Sequence, residues 1–96
     1  MVELDKHEQF QAWFAELRDP TVRQRILTRL RRLSLGNPGD ARSVGGGVVE
    51  LRIDWGPGYR VYFIRRGARL IILLGGGTKS TQERDIRDAQ ALARQL

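Results

Sequence analysis

Two short stretches of strict alternation, residues 48–54 and 59–64, constrain this chain more than any other feature. In the first, Val49, Leu51 and Ile53 alternate with Glu50, Arg52 and Asp54; in the second, Tyr59, Val61 and Phe63 alternate with Arg60, Tyr62 and Ile64. A period of two places each set on its own face of a strand. The intervening Trp55-Gly56-Pro57-Gly58 is turn chemistry. A hairpin centred on Gly56 sets Leu51 opposite Val61, Val49 opposite Phe63 and Ile53 opposite Tyr59, with Arg52 opposite Arg60 and Glu50 opposite Tyr62 on the other face. A slip of one residue would set apolar side chains against charged ones, so the pattern selects this register.

Upstream of Gly45 the period is helical. Asp5 and Glu8 have the spacing of a capping box, and Phe10, Trp13, Phe14 and Leu17 predict an amphipathic helix over about residues 6–18. Asp19 before Pro20 predicts a capped second helix with Val22, Ile26, Leu30 and Leu33 on one face, stopped by Gly36-Asn37-Pro38-Gly39-Asp40. Downstream, Arg65-Arg66-Gly67-Ala68 turns into Leu70–Leu74, apolar on both faces and so expected to be a central strand, which Gly75-Gly76-Gly77 would end. Ser80 and Glu83 form another capping box before a helix to about residue 95, with Ile86, Ala89 and Ala93 facing inward. Val2 to Leu4 is a further short strand candidate. The expected class is α+β, a small antiparallel β-sheet with two N-terminal helices and one C-terminal helix gathered on one face, forming a single domain over residues 1–96.

Composition narrows the chemistry. The absence of cysteine removes disulfide scaffolds and thiol catalysis, and a single His makes a His-built metal centre improbable, so neither metal nor cofactor is expected. The N-terminus is too charged for a signal peptide and Leu70–Leu74 is too short to span a bilayer, which predicts a cytoplasmic protein with no membrane partner. The net charge is +6, and of the seventeen cations all but two are Arg, whose planar fork matches phosphate oxygens. The excess is concentrated in residues 20–47, where six bases face one acid. There Arg25, Arg29 and Arg32 recur at i, i+4, i+7 as a basic ridge, either a solvated face or an edge that tracks RNA phosphates or a partner.

The sheet register assembles a candidate site. Arg52 opposite Arg60 costs some tenths of a kcal/mol unless an anion sits between them. Tyr62 shares that face, expected to be exposed, and the glycine-rich stretch delivers Lys79 just before a helix N-terminus. Together these describe a concave, cationic site for a phosphodiester. RNA cleavage suits it, because the 2′-hydroxyl of the substrate is its own nucleophile. Arg52 and Arg60 would neutralise the phosphorane, with Lys79 and Tyr62 as candidate proton carriers. Glu50 and Asp54 could pair as acid and base but read better as charges balancing the strand arginines, and His7 reads as a solvated residue.

Glu50-Leu51-Arg52, the Gly-Pro-Gly-Tyr-Arg-Val-Tyr-Phe stretch from Gly56 to Phe63, and the stretch from Leu73 to Ile86 containing Gly75-Gly76-Gly77-Thr78-Lys79 together resemble the phage-derived, HigB-like "addiction module killer" branch of the RelE/ParE toxin superfamily. The similarity extends to Phe10, Trp13 and Leu17-Arg18-Asp19, and to the stop at Gly36–Asp40. The resemblance implies a RelE-like fold and the toxin of a type II toxin-antitoxin system. It also implies a cognate helix-turn-helix antitoxin protein as partner, operator DNA reached only through that antitoxin, and ribosome-dependent mRNA endoribonuclease (mRNA interferase) activity. Arg52, Arg60 and Lys79 match the basic positions such toxins place around the scissile phosphate, and Tyr62 is a weaker match. The chain has no Tyr after Lys79, where RelE carries a catalytic-type tyrosine, so the resemblance does not assign the general base. A ParE-like inhibitor of a DNA topoisomerase and a non-catalytic nucleic-acid-binding module remain the alternatives.

Overall fold

The computed structural model describes residues 1–96. In chain order it comprises β1 (Glu3–Lys6), α1 (Glu8–Glu16), α2 (Pro20–Ser34), β2 (Ala41–Ser43), β3 (Val49–Ile53), β4 (Tyr59–Arg66), β5 (Leu70–Thr78), one 3-10 turn (Lys79–Thr81) and α3 (Gln82–Gln95). The fold is α+β, as expected. β3 and β4 pair in the expected register, Leu51 opposite Val61 and Arg52 opposite Arg60. No helix is long and apolar enough to cross a membrane.

The sheet is mixed rather than antiparallel. Its strand order is β1-β5-β4-β3-β2, and β1 runs parallel to β5, with Leu4 beside Ile71. This edge pairing satisfies backbone groups of β5, and just beyond β1 the His7 N–H donates to the Leu73 carbonyl at 3.0 Å. It also moves the start of α1. Asp5 and Lys6 are held in the strand, so the cap is His7, whose Nδ1 accepts from the Gln9 N–H at 3.1 Å, and not the Asp5–Glu8 box. At α2 the reading holds: Asp19 Oδ1 accepts from the Thr21 N–H at 2.9 Å, and Val22, Ile26, Leu30 and Leu33 are all buried.

The helices cover both faces of the sheet, not one. Val61, Tyr62, Phe63 and Ile64 of β4 are all buried, and a strand apolar on both sides needs a cover on each. On one face Phe10 of α1 and the buried residues of α2 pack with Leu51, Ile53, Val61, Phe63, Ile71 and Leu73. On the other, Ala89 and Leu92 of α3 pack with Val48, Tyr62, Ile64 and Leu74. The centre of the sheet is therefore β4, with β5 beside it.

The glycine triplet does not end β5. Gly75, Gly76 and Gly77 continue it opposite Tyr62, Val61 and Arg60, beyond an irregularity at Tyr62/Phe63. A side chain at Gly76 would overlap the Trp13 ring and one at Gly77 would meet Asp85 of α3, so these glycines admit a neighbour on each face. Ser80 does not cap α3; its hydroxyl bonds that of Thr78 at 2.9 Å, and the 3-10 turn intervenes.

Candidate functional site

Arg52, Arg60 and Lys79 reach one cleft from three elements. The β3–β4 register brings the two arginines level, and the β5 extension carries Lys79 to the same end of the sheet. The cleft encloses about 380 Å³ and is lined by Asp40, Arg52, Asp54, Arg60 and Lys79 around the Gly56–Gly58 turn. Gly58 organises it. Its carbonyl accepts from the Arg60 Nη1 at 2.7 Å and from the Lys79 N–H at 2.9 Å, and its φ of +80° suits glycine.

The two arginines differ in setting, and each has its own carboxylate. Arg52 is half-exposed, and its Nε donates to Asp40 Oδ2 at 3.2 Å. The Arg60 side chain is only 9% exposed, with Nε 3.7 Å from Glu50 Oε2 and without a hydrogen-bond partner. Their opposition is thus offset by Asp40 and Glu50, not by a required anion, which corrects the expectation drawn from like charges. Lys79 is exposed and forms no ion pair.

Glu50 is fully buried. It accepts from the Gln82 Nε2 at 2.8 Å, the Arg42 Nε at 3.1 Å and the Tyr62 hydroxyl at 3.2 Å, which satisfies a carboxylate that burial would otherwise penalise. Tyr62 lies with it beneath α3 and is 1% exposed, so it is not on an open face. Burial first, and then the charge and hydrogen bond of Glu50, push the Tyr62 phenol well above its ordinary range. That shift opposes use as a base, and Tyr62 is a packing residue of the Glu50 network.

The ridge on α2 divides. Arg29 donates to the carbonyls of Arg52, Pro38 and Asp40, the last two at 3.0 and 3.2 Å, and so fastens the segment before β2 onto β3. Burial lowers its pKa from the usual arginine value, partly opposed by Asp40. Arg29 is therefore a structural clamp and not a free RNA-binding cation. Arg25 lies over the Trp55 indole, 3.7 Å from the ring centroid, and Arg32 is exposed.

Two neighbours of the cleft, Asp40 and Trp55, escaped the sequence reading, and a third, Asp54, does not balance the strand arginines as that reading expects. Asp40 lies far along the chain from Arg52, and no periodicity links the two. Asp54 neither pairs with an arginine nor accepts a side-chain hydrogen bond, so it leaves an unpartnered carboxylate in the cleft. Trp55 was legible only as part of a turn, although a Trp among turn residues was itself a signal. No group of three His, Asp or Glu side chains is placed to hold a metal ion.

Comparison with known proteins adds two findings. A family model described as phage-derived protein Gp49-like matches residues 12–96. A protein of Haemophilus influenzae described as uncharacterized is 47% identical over 87 residues, covering 91% of this chain and 88% of the relative.

Proposed function

This chain belongs to the phage-derived Gp49-like family, a RelE/HigB-type toxin family, and on that premise we propose that it is the toxin of a toxin-antitoxin pair and cleaves mRNA on the ribosome. The observation that carries the reading is the convergence of Arg52, Arg60 and Lys79 on one cleft beside an unpartnered carboxylate. The RNA phosphate sits among the three cations. Asp54 accepts the proton of the 2′-hydroxyl, the 2′-oxygen bonds to phosphorus, and the bond to the 5′-oxygen breaks as Lys79 supplies that oxygen with a proton. The products are a 2′,3′-cyclic phosphate and a 5′-hydroxyl. Arg52 and Arg60 stabilise the charge that builds on the phosphorane, in a cleft whose dipoles are already oriented. The chemistry needs no metal because the substrate carries its nucleophile. Arg52 leaves Asp40 for the phosphate, an exchange made inexpensive by the exposure of that pair. A helix-turn-helix antitoxin, through which the pair reaches its operator DNA, covers the basic surface.

The test uses ribosomes programmed with a defined mRNA, the parent protein, and Asp54→Asn and Arg52→Ala variants. Cleavage by the parent, slowed about a hundredfold in each variant, is expected. Inhibition of a DNA topoisomerase with the mRNA left intact would overturn the reading in favour of a ParE-like toxin.

A further inference from the structure

Trp55 stands at the edge of the cleft, outside both cores of the fold. Its neighbours Asp54 and Gly56 line the cleft, while its own ring does not. The turn is closed by backbone: the Gly58 N–H donates to the Trp55 carbonyl at 3.1 Å and the Trp55 N–H to the Ile53 carbonyl at 2.9 Å. The ring belongs to neither core cluster. At 39% exposure, Trp55 is the one aromatic among the exposed large apolar residues. Arg25 covers one face of the indole at 3.7 Å, which fixes the plane of the ring. With that face covered, the residue still keeps 39% of its surface open.

We propose that Trp55, backed by Arg25, is a stacking platform for one unpaired nucleobase of single-stranded RNA whose phosphate occupies the adjacent cleft. Every base has a π-face, and unstacked RNA bases are taken up by aromatic rings set beside cationic grooves. A flat, held, half-open indole next to three cations has that form. The Arg25 guanidinium raises the positive charge near the bound strand while bracing the ring from behind. The platform rests on the phosphate-cleft reading and adds to it a contact with the base.

The experiment titrates the full chain, at low salt, with a labelled single-stranded adenosine oligonucleotide and with a ribose-phosphate oligomer of the same length that lacks bases. Anisotropy of the label reports affinity, and tryptophan fluorescence reports stacking. The parent should bind the oligonucleotide about tenfold more tightly than the base-less oligomer. Trp55→Ala should abolish that preference and the fluorescence quench while leaving affinity for the base-less oligomer unchanged, and Trp55→Phe should retain most of the preference. A Trp55 that only braced the turn would change both affinities together. If the parent shows no preference for bases, or Trp55→Ala keeps it, the platform is overturned and the phosphate cleft stands. If the parent binds neither oligomer, the cleft reading falls and the platform falls with it.

Discussion

Lys79 and Arg60 carry the same charge into one cleft, yet truncating them has different consequences. Lys79 is exposed and its side chain is unpaired; its backbone N–H, which holds the Gly58 carbonyl, survives substitution. Lys79→Ala should therefore melt within about 0.5 kcal/mol of the parent and lose about a hundredfold in mRNA cleavage. Arg60 is buried beside the fully buried Glu50. Arg60→Ala removes a cation from that carboxylate and a donor from Gly58, so about 2 kcal/mol of stability should go with the activity. Parallel urea denaturation and single-turnover cleavage separate the two. Equal melting of both variants would show that the Glu50–Arg60 contact contributes nothing. Alternation revealed that Arg60 points away from Val61 and Phe63, but it carried no information about the helix lying over that side.

At the scale of elements, β5 is shaped by what crosses it. Its three glycines read as a stop because glycine is a poor strand former, yet two of them, Gly76 and Gly77, are where side chains of α1 and α3 come against the strand. Gly76 faces the Trp13 ring, which is itself packed with Phe10 at a centroid distance of 5.9 Å. Gly76→Ala should cost roughly 1–3 kcal/mol by overpacking. Trp13→Leu in the same chain should recover part of that loss, making the double variant more stable than the sum of the singles predicts. Thermal melting of the four proteins is the measurement, and strict additivity would place the strain elsewhere. The start of α2 and its buried face were legible because its cap, its proline and its apolar stripe are local. The capping boxes before α1 and α3 misled, since β1 and the 3-10 turn claim the same residues for other bonds.

The molecule as a whole has two cores on either side of one sheet, and Tyr62 belongs to the one under α3. Its phenol pKa in the folded chain is raised above its unfolded value near 10 by burial and by Glu50. Below pH 10 both states hold the proton and the contribution of Tyr62 to stability is complete. As pH climbs past 10 the unfolded chain releases the proton first, so stability falls toward the folded pKa. The parent should lose stability above pH 10 more steeply than Tyr62→Phe, which has no such proton; urea midpoints between pH 8 and 11 would show it. Parallel slopes would mean that the phenol is not held neutral by the fold.

What the sequence determined by itself was the set of faces: which residues of each element lie together, the hairpin register through Leu51 and Val61, and the meeting of Arg52 with Arg60. These follow from side-chain period and turn chemistry, which act over a few residues. The tertiary structure alone decided which faces are covered and by what. The reach of Gln82 to Glu50, the seat of Trp13 on Gly76 and the parallel pairing of β1 with β5 join residues far apart in the chain. A contact of that kind depends on how layers pack, and layer packing is a property of surfaces brought together by the whole chain, which no local period records.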